Sequence, residues 1–292
     1  MKKFLPVLGL LVMLAGAAKA QDVHFSQYFT SPLTLNPAMT GLLADDIRFA
    51  ANYRNQWSSV STHPYVTGTA SFDIACLKGK LPAGDALGLG VMMLYDKSGS
   101  GGLQNTTVGF SFAYHKAFGR DKLQHISIGA QADLVQKSID FSKMTFEEQY
   151  NLTTGQFIPG MSNGEPIKTN SISYPDFNTG LMYSGQIKEH TNAYIGASYY
   201  HLTQPVESFL NDKISHPIHS RYSAYMGASF DLNEKTLLYA NALYQSQESA
   251  TEVVLGAAAG FIMNPGHDEE YSAIQYFTSA AGTAMATRSF LM

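Results

Sequence analysis

From Asp46 onward, apolar and small or polar residues alternate along the chain. In Asn105–Lys116, Val108, Phe110, Phe112 and Tyr114 share one parity, and Gly109, Ser111, Ala113 and His115 the other. Successive side chains of a strand point to opposite faces, so this segment reads as a two-faced β-strand. Gln124–Gln136 repeats the pattern, with Ile126, Ile128, Ala130, Ala132 and Leu134 opposite Ser127, Gly129, Gln131 and Asp133. In Arg221–Leu232, Tyr222, Ala224, Met226, Ala228, Phe230 and Leu232 face away from Ser223, Tyr225, Gly227, Ser229 and Asp231. Weaker versions occupy Asp46–Trp57, Tyr65–Cys76, Ala86–Tyr95, Asp176–Ile187, Asn192–Leu202, Thr236–Ser246 and Thr251–Ile262. The pattern thus predicts an all-β chain of ten strands, each of about ten residues and separated by turn-rich stretches.

Half-buried sheets of a soluble β-sandwich alternate in the same way. Two features count against a sandwich. Its strands usually run to only about 5–6 residues, and its solvent face would carry Lys and Glu. Charged residues make up 14% of this chain, against about 25% in an ordinary soluble domain, and the non-aliphatic face of the strands is nearly uncharged. Tyr and Trp near segment ends (Trp57, Tyr95, Tyr114, Tyr200, Tyr244) suit an interfacial girdle. Past the N-terminal segment there is no apolar run long enough for a membrane helix. The remaining membrane solution is a closed antiparallel barrel, which satisfies every backbone group in lipid without helices. The expected fold is a transmembrane antiparallel β-barrel.

Residues 1–20 have the form of a secretory signal. Lys2 and Lys3 precede an apolar Phe4–Gly16, and Ala18-Lys19-Ala20 supplies the small-x-small site for cleavage before Gln21. A retained anchor would need a longer apolar run. A lipoprotein would need Cys after the cut, where Gln21 stands. Residues 21–44 read as an ordered arm or plug, and 45–272 as strands and loops. In the arm, Asn36-Pro37 disfavours helix at Asn36 and biases the chain to a turn. Phe25, Tyr28 and Phe29 are too concentrated for a solvated tail, so the arm is expected to pack against the barrel wall or lumen. Contact with a periplasmic partner remains the alternative, since aromatic anchors serve both purposes. On that alternative the candidate partner-contact residues are Phe25, Gln27, Tyr28, Phe29, Asn36 and Pro37. Ser138–Pro175, rich in Gly and Pro, reads as one long irregular loop, extracellular or folded inward.

Several blocks resemble the PorP/SprF family. They are His24-Phe25-Ser26-Gln27-Tyr28-Phe29, Leu35-Asn36-Pro37-Ala38 with Thr40-Gly41, Tyr53-Arg54-Asn55-Gln56-Trp57, Ala113-Tyr114-His115, Gln136 to Lys143, Tyr174-Pro175-Asp176-Phe177, and His201-Leu202-Thr203-Gln204-Pro205. The resemblance runs from Gln21 to about Gly260. It implies an outer-membrane barrel of the type IX secretion and gliding system of Bacteroidetes. Implied partners are outer-membrane lipid, other proteins of that machinery and secreted adhesin-like cargo, which such barrels help to deliver or anchor at the surface. It implies no catalytic residues. Family members continue through more strands, whereas Gln275–Met292 loses the alternation. One permitted coding of that tail, read two bases later, encodes IFYLGGWYRYGDAIFPY, which is strand-like. The expectation is a frameshift near Ser272–Gln275, an aberrant tail over 273–292 and a barrel incomplete at its C-terminus. The gene's own codons decide it.

Catalytic and cofactor chemistry is not expected. Gly109-Phe110-Ser111 and Gly227-Ala228-Ser229 lack the last glycine of a nucleophile elbow and sit in strands. His216-Pro217-Ile218-His219 has no third ligand nearby, and its proline prevents a helix. His267-Asp268-Glu269-Glu270 lacks the spaced oxygens of a calcium loop. One cysteine, Cys76, excludes an intramolecular disulfide. A formal charge of −4 without a basic stripe makes nucleic acid an unsuitable partner. Beside the secretion role stands a second reading, a passive outer-membrane channel for small solutes. The bland inner face fits a plugged barrel better than an open pore, whose constriction usually carries charge.

Overall fold

The computed structural model describes residues 22–261, apart from 24, 26, 27, 44, 45, 159, 211–216, 234 and 235. The expected signal segment, Gln27, His216, the 267–270 turn and the tail with its frameshift position lie outside the described residues.

Among the described residues twelve strands are formed: β1 (Ile47–Gln56), β2 (Tyr65–Cys76), β3 (Ala86–Ser98), β4 (Leu103–Phe118), β5 (Gln124–Ser138), β6 (Tyr150–Asn151), β7 (Gln156–Phe157), β8 (Ser171–Lys188), β9 (Thr191–Tyr200), β10 (Arg221–Asn233), β11 (Thr236–Gln247) and β12 (Ala250–Phe261). All but β6 and β7 join one ten-stranded sheet in the order β1-β2-β3-β4-β5-β8-β9-β10-β11-β12. Every neighbour is antiparallel, so each long strand pairs with those next to it in sequence. The ten expected strands are all present. The long ones run from 10 to 18 residues, enough to cross a hydrocarbon layer when tilted.

The loop expected over Ser138–Pro175 is shorter than the sequence implies, because β8 begins at Ser171 and takes in Pro175. Proline is tolerated there because β8 pairs with β5 along that stretch, while its pairing with β9 starts only at Thr179. The missing N–H therefore breaks no ladder bond. Between β5 and β8 the chain folds into the small β6–β7 hairpin, with Tyr150 opposite Phe157.

The connections sort the sheet's two ends. Among the described residues, 57–64, 99–102, 139–158, 160–170, 201–210, 217–220 and 248–249 lie at one end, and 77–85, 119–123 and 189–190 at the other. The first is the long-loop end, the second the short-turn end.

Burial along the strands is inverted relative to a soluble protein. Val108, Phe110, Phe112, Ile126, Ile128, Leu134, Leu181, Ile195, Tyr222, Met226 and Leu255 are exposed, while Asp73, Ser111, His115, Ser127, Gln131, Asp133, Asp176, Asn178, Ser198 and Ser223 are buried. Phe110 is 54% exposed and its neighbour Ser111 1%. An apolar outer face and a polar interior are what lipid outside and a filled lumen inside require. Among the described residues, β1 pairs only with β2, and β12 only with β11, so the barrel is open. No described helix is long and apolar enough to cross a membrane.

Candidate functional site

The polar interior is occupied by the chain's own N-terminal arm. Tyr28–Thr30 makes a 3-10 turn, Pro32–Leu35 a single helical turn (α1), and Pro37–Met39 a second 3-10 turn. Proline opens both of the latter, where its fixed φ suits the first helical position and its missing N–H costs nothing. Asn36 sits between them in extended backbone, and its side chain caps Ala38 N–H at 2.8 Å.

A belt of small residues forms the seat. Gly88, Ala113, Gly129, Gly180, Ser198 and Ser223 are successive cross-strand partners on β3, β4, β5, β8, β9 and β10. A methyl group on Gly88 would lie 2.5 Å from the Thr40 carbonyl carbon and 2.9 Å from Gly41 Cα. One on Gly180 would run into the Asn36 amide, with Cγ at 2.6 Å. The wall is glycine where the arm's backbone and Asn36 press against it.

Specific bonds then hold the arm in register. Asn36 Nδ2 donates to the carbonyls of Leu181 and Ala197, each at 3.1 Å, and Ser198 donates to Leu35 O at 2.8 Å. His115 Nε2 lies 2.7 Å from Thr40 O and its Nδ1 2.7 Å from Ser127 Oγ. A carbonyl only accepts, so Nε2 carries the proton and Ser127 donates to Nδ1. Thr40 Oγ1 is 2.9 Å from Ser111 Oγ, and Gly41 N–H donates to Asp73 Oδ2 at 2.7 Å. Arg48 clamps both oxygens of Asp73, at 3.0 and 2.7 Å, and also donates to Met39 O. Nearer the long loops, Tyr28 OH donates to Asn241 on β11, and Thr30 Oγ1 to Asn52 on β1. Tyr28, Leu35 and Ala38 pack with Met182, Tyr225, Leu243 and Val254. The arm therefore touches the long strands from β1 through β11, and Val254 of β12 belongs to the cluster it packs into.

Its first described residue is fastened at the long-loop end. His201, just beyond β9, gives Nε2 to Asp22 Oδ2 at 2.6 Å and Nδ1 to Asp176 Oδ2 at 2.7 Å. Both ring nitrogens donate to carboxylates, so the imidazole is held as the cation. Burial alone would push its pKa down, but the hydrogen bonds to Asp176 and Asp22 and their charges push it up to about 9. Asp22 also lies 3.6 Å from Arg221 and donates its own N–H to Gln247 Oε1 at 2.9 Å. For its carboxyl, burial acts upward and is overcome by the His201 hydrogen bond and the Arg221 charge, which hold it well below the usual range.

A family model described as type IX secretion system membrane protein PorP/SprF matches residues 17–266. The chain belongs to this family. A search of the curated proteins finds no match. In this PorP/SprF member, several of the blocks that carried the resemblance meet in space. Leu35 to Gly41 lies on the belt, His115 bonds to it, and Asp176 bonds to His201, which bonds to the arm.

Of the candidate partner-contact residues, Phe25, Tyr28, Asn36 and Pro37 are buried inside the chain, and Phe29 is 47% exposed. Pattern reading passed over Asp22, Gly88, Gly180, Asp133 and Arg221. Glycines at alternate positions of the strands were the one signal for the belt. Both ring nitrogens of His201 are taken up by carboxylates, and no described group of three or more His, Cys, Asp or Glu is placed to hold a metal. Described His219 faces Glu248 at 3.8 Å.

Proposed function

We propose that this chain works in the outer membrane as the component of the type IX secretion and gliding machinery that assists delivery or surface anchoring of secreted proteins, adhesins among them, and that it is not an enzyme. Membership of a type IX secretion membrane protein family supports the setting. The single structural observation behind the reading is the inverted sheet wrapped on its own arm. Apolar side chains face outward, and the arm packs against the inner face. Long loops at one end and short turns at the other follow the usual outer-membrane orientation, with the long loops outside the cell. In that orientation β1 starts from the periplasmic side, as export by a cleaved signal would have it.

Phe29 is the arm residue best able to meet a partner while the arm stays seated. The buried Phe25, Tyr28, Asn36 and Pro37 would become contacts only if the arm left the lumen. Deleting the gene and comparing the surface-exposed proteins of mutant and parent cells tests the role. Specific loss of large surface proteins, restored by complementation, is the expected outcome. An unchanged surface together with solute conductance by the purified protein in planar bilayers would replace the secretion reading with that of a passive channel.

A further inference from the structure

Between the arm's outer end and the wall lies a cavity of about 90 Å³, lined by Asp22, Asp133, Asp176, Gln131, Asn105 and Tyr200 among others. Asp133 on β5 and Asp176 on β8 are direct cross-strand partners on the inner face, 8% and 2% exposed. Like charges placed opposite each other destabilise a sheet unless something compensates them, and burial sharpens the cost. The neighbouring cations face groups other than Asp133. His201 bonds to Asp22 and Asp176. Arg221 lies 3.6 Å from Asp22, with its guanidinium 4.1 Å above the Tyr200 ring. Lys137 pairs with Glu207 at 2.6 Å. Asp133 receives neutral donors instead: Gln131 Nε2 at 2.9 and 3.1 Å, and Asn178 Nδ2 at 2.7 Å.

The oxygens left over point the same way. Because Gln131 turns its amide nitrogen to Asp133, its Oε1 is presented without a protein partner. Asp176 Oδ1, Tyr200 OH and Asn105 Oδ1 are likewise buried and unpartnered. Gln131, Asp176 and Tyr200 are each at most 5% exposed. Arg221 Nε on the same wall is also buried without a partner, and the other unmatched lining atoms are the oxygens of Asn105, Gln131, Asp176 and Tyr200. They surround a space with room for one ion and a few waters, at about 30 Å³ for each water's share of liquid volume. Oxygen donors suit hard cations.

We propose that this cavity binds a monovalent alkali cation, sodium or potassium, between the Asp133–Asp176 pair and the outer end of the arm. One carboxylate without a cationic partner calls for a single positive charge. A divalent ion would overshoot it, and it would also lack the several acidic ligands such ions recruit. The ion relieves the repulsion between β5 and β8 beside the Asp22 fastening, and so stabilises the seated arm.

The test is the thermal unfolding midpoint of the detergent-solubilised chain in sodium, potassium, calcium or choline chloride at matched ionic strength. Choline is too large for the cavity and controls for screening. Sodium or potassium should raise the midpoint over choline by about 3 °C at roughly tenfold excess over its dissociation constant. The better of the two names the ion. In Asp133→Asn, which keeps the shape and removes the charge, the difference should vanish. Identical midpoints in sodium, potassium and choline would overturn the proposal and leave a water-filled cavity. So would a salt response of undiminished size in Asp133→Asn, or a larger rise with calcium. The salt comparison needs only the unaltered chain, so it decides even if the variant does not fold.

Discussion

Replacing Gly88 with alanine tests whether the arm and the wall are one packed unit. The added methyl would meet backbone on the arm side, the Thr40 carbonyl carbon at 2.5 Å and Gly41 Cα at 2.9 Å. Neither can rotate away as a side chain could, so the arm must lift from β3. Lifting it breaks the His115–Thr40 bond (2.7 Å), the Thr40–Ser111 bond (2.9 Å) and the Gly41–Asp73 bond (2.7 Å). At about 1 kcal/mol for each neutral bond and about 2 for the one to a carboxylate, the loss is about 4 kcal/mol. That corresponds to a fall of about 10 °C in the unfolding midpoint. Gly68→Ala on β2 is the control, because its methyl would find only Asn52 O at 3.9 Å. It should stay within about 0.5 kcal/mol of the parent. The assay is thermal or urea unfolding in detergent, run alongside limited proteolysis of the arm. Gly88→Ala should also expose the arm to cleavage. Equal midpoints and equal protease resistance for the two variants would refute the claim that the belt seats the arm.

Three further outcomes follow from the same geometry. Asn36→Ala removes two bonds to strand carbonyls and the cap on Ala38, and should cost about 3 kcal/mol in urea unfolding. Phe110→Lys, harmless on a soluble sheet, places a charge on an outward face that is 54% exposed. In lipid it should cost about 2–4 kcal/mol near the midplane, read as a reduced level of folded protein in outer-membrane fractions. The His201 fastening has a raised folded-state pKa of about 9, so its contribution is complete below the unfolded value of about 6.5. It is lost as pH rises through about 9, and His201→Gln should flatten the pH dependence of arm proteolysis across that window.

The strands were legible because lipid and lumen impose opposite demands on alternate residues, and that signal survives in composition alone. Their ends were less so. Leu103 and Gln104 continue the β3–β4 ladder before the amphipathic stretch, where backbone pairing persists without a sided pattern. The inner network could not be read locally. Asp133 meets Asp176 only through the β5–β8 register, set across the 139–170 connection. Asp22 meets His201 across 179 positions of sequence. The arm's aromatic cluster announced packing, yet alternation says nothing about a 3-10 turn that buries Tyr28 and leaves Phe29 outside. Asn36-Pro37 marked a turn, and its seat appears only once six strands bring their small residues into line.

The arm precedes β1 and touches the long strands from it through β11. Such a wall can be laid down around a mandrel, each hairpin gauged against a segment already synthesised. Circumference is then dictated by the thickness of what is wrapped, and not solely by the first strand finding the last. In relatives with more staves to the cask, the segment inside should be correspondingly stouter, because core and hoop are cut to the same measure.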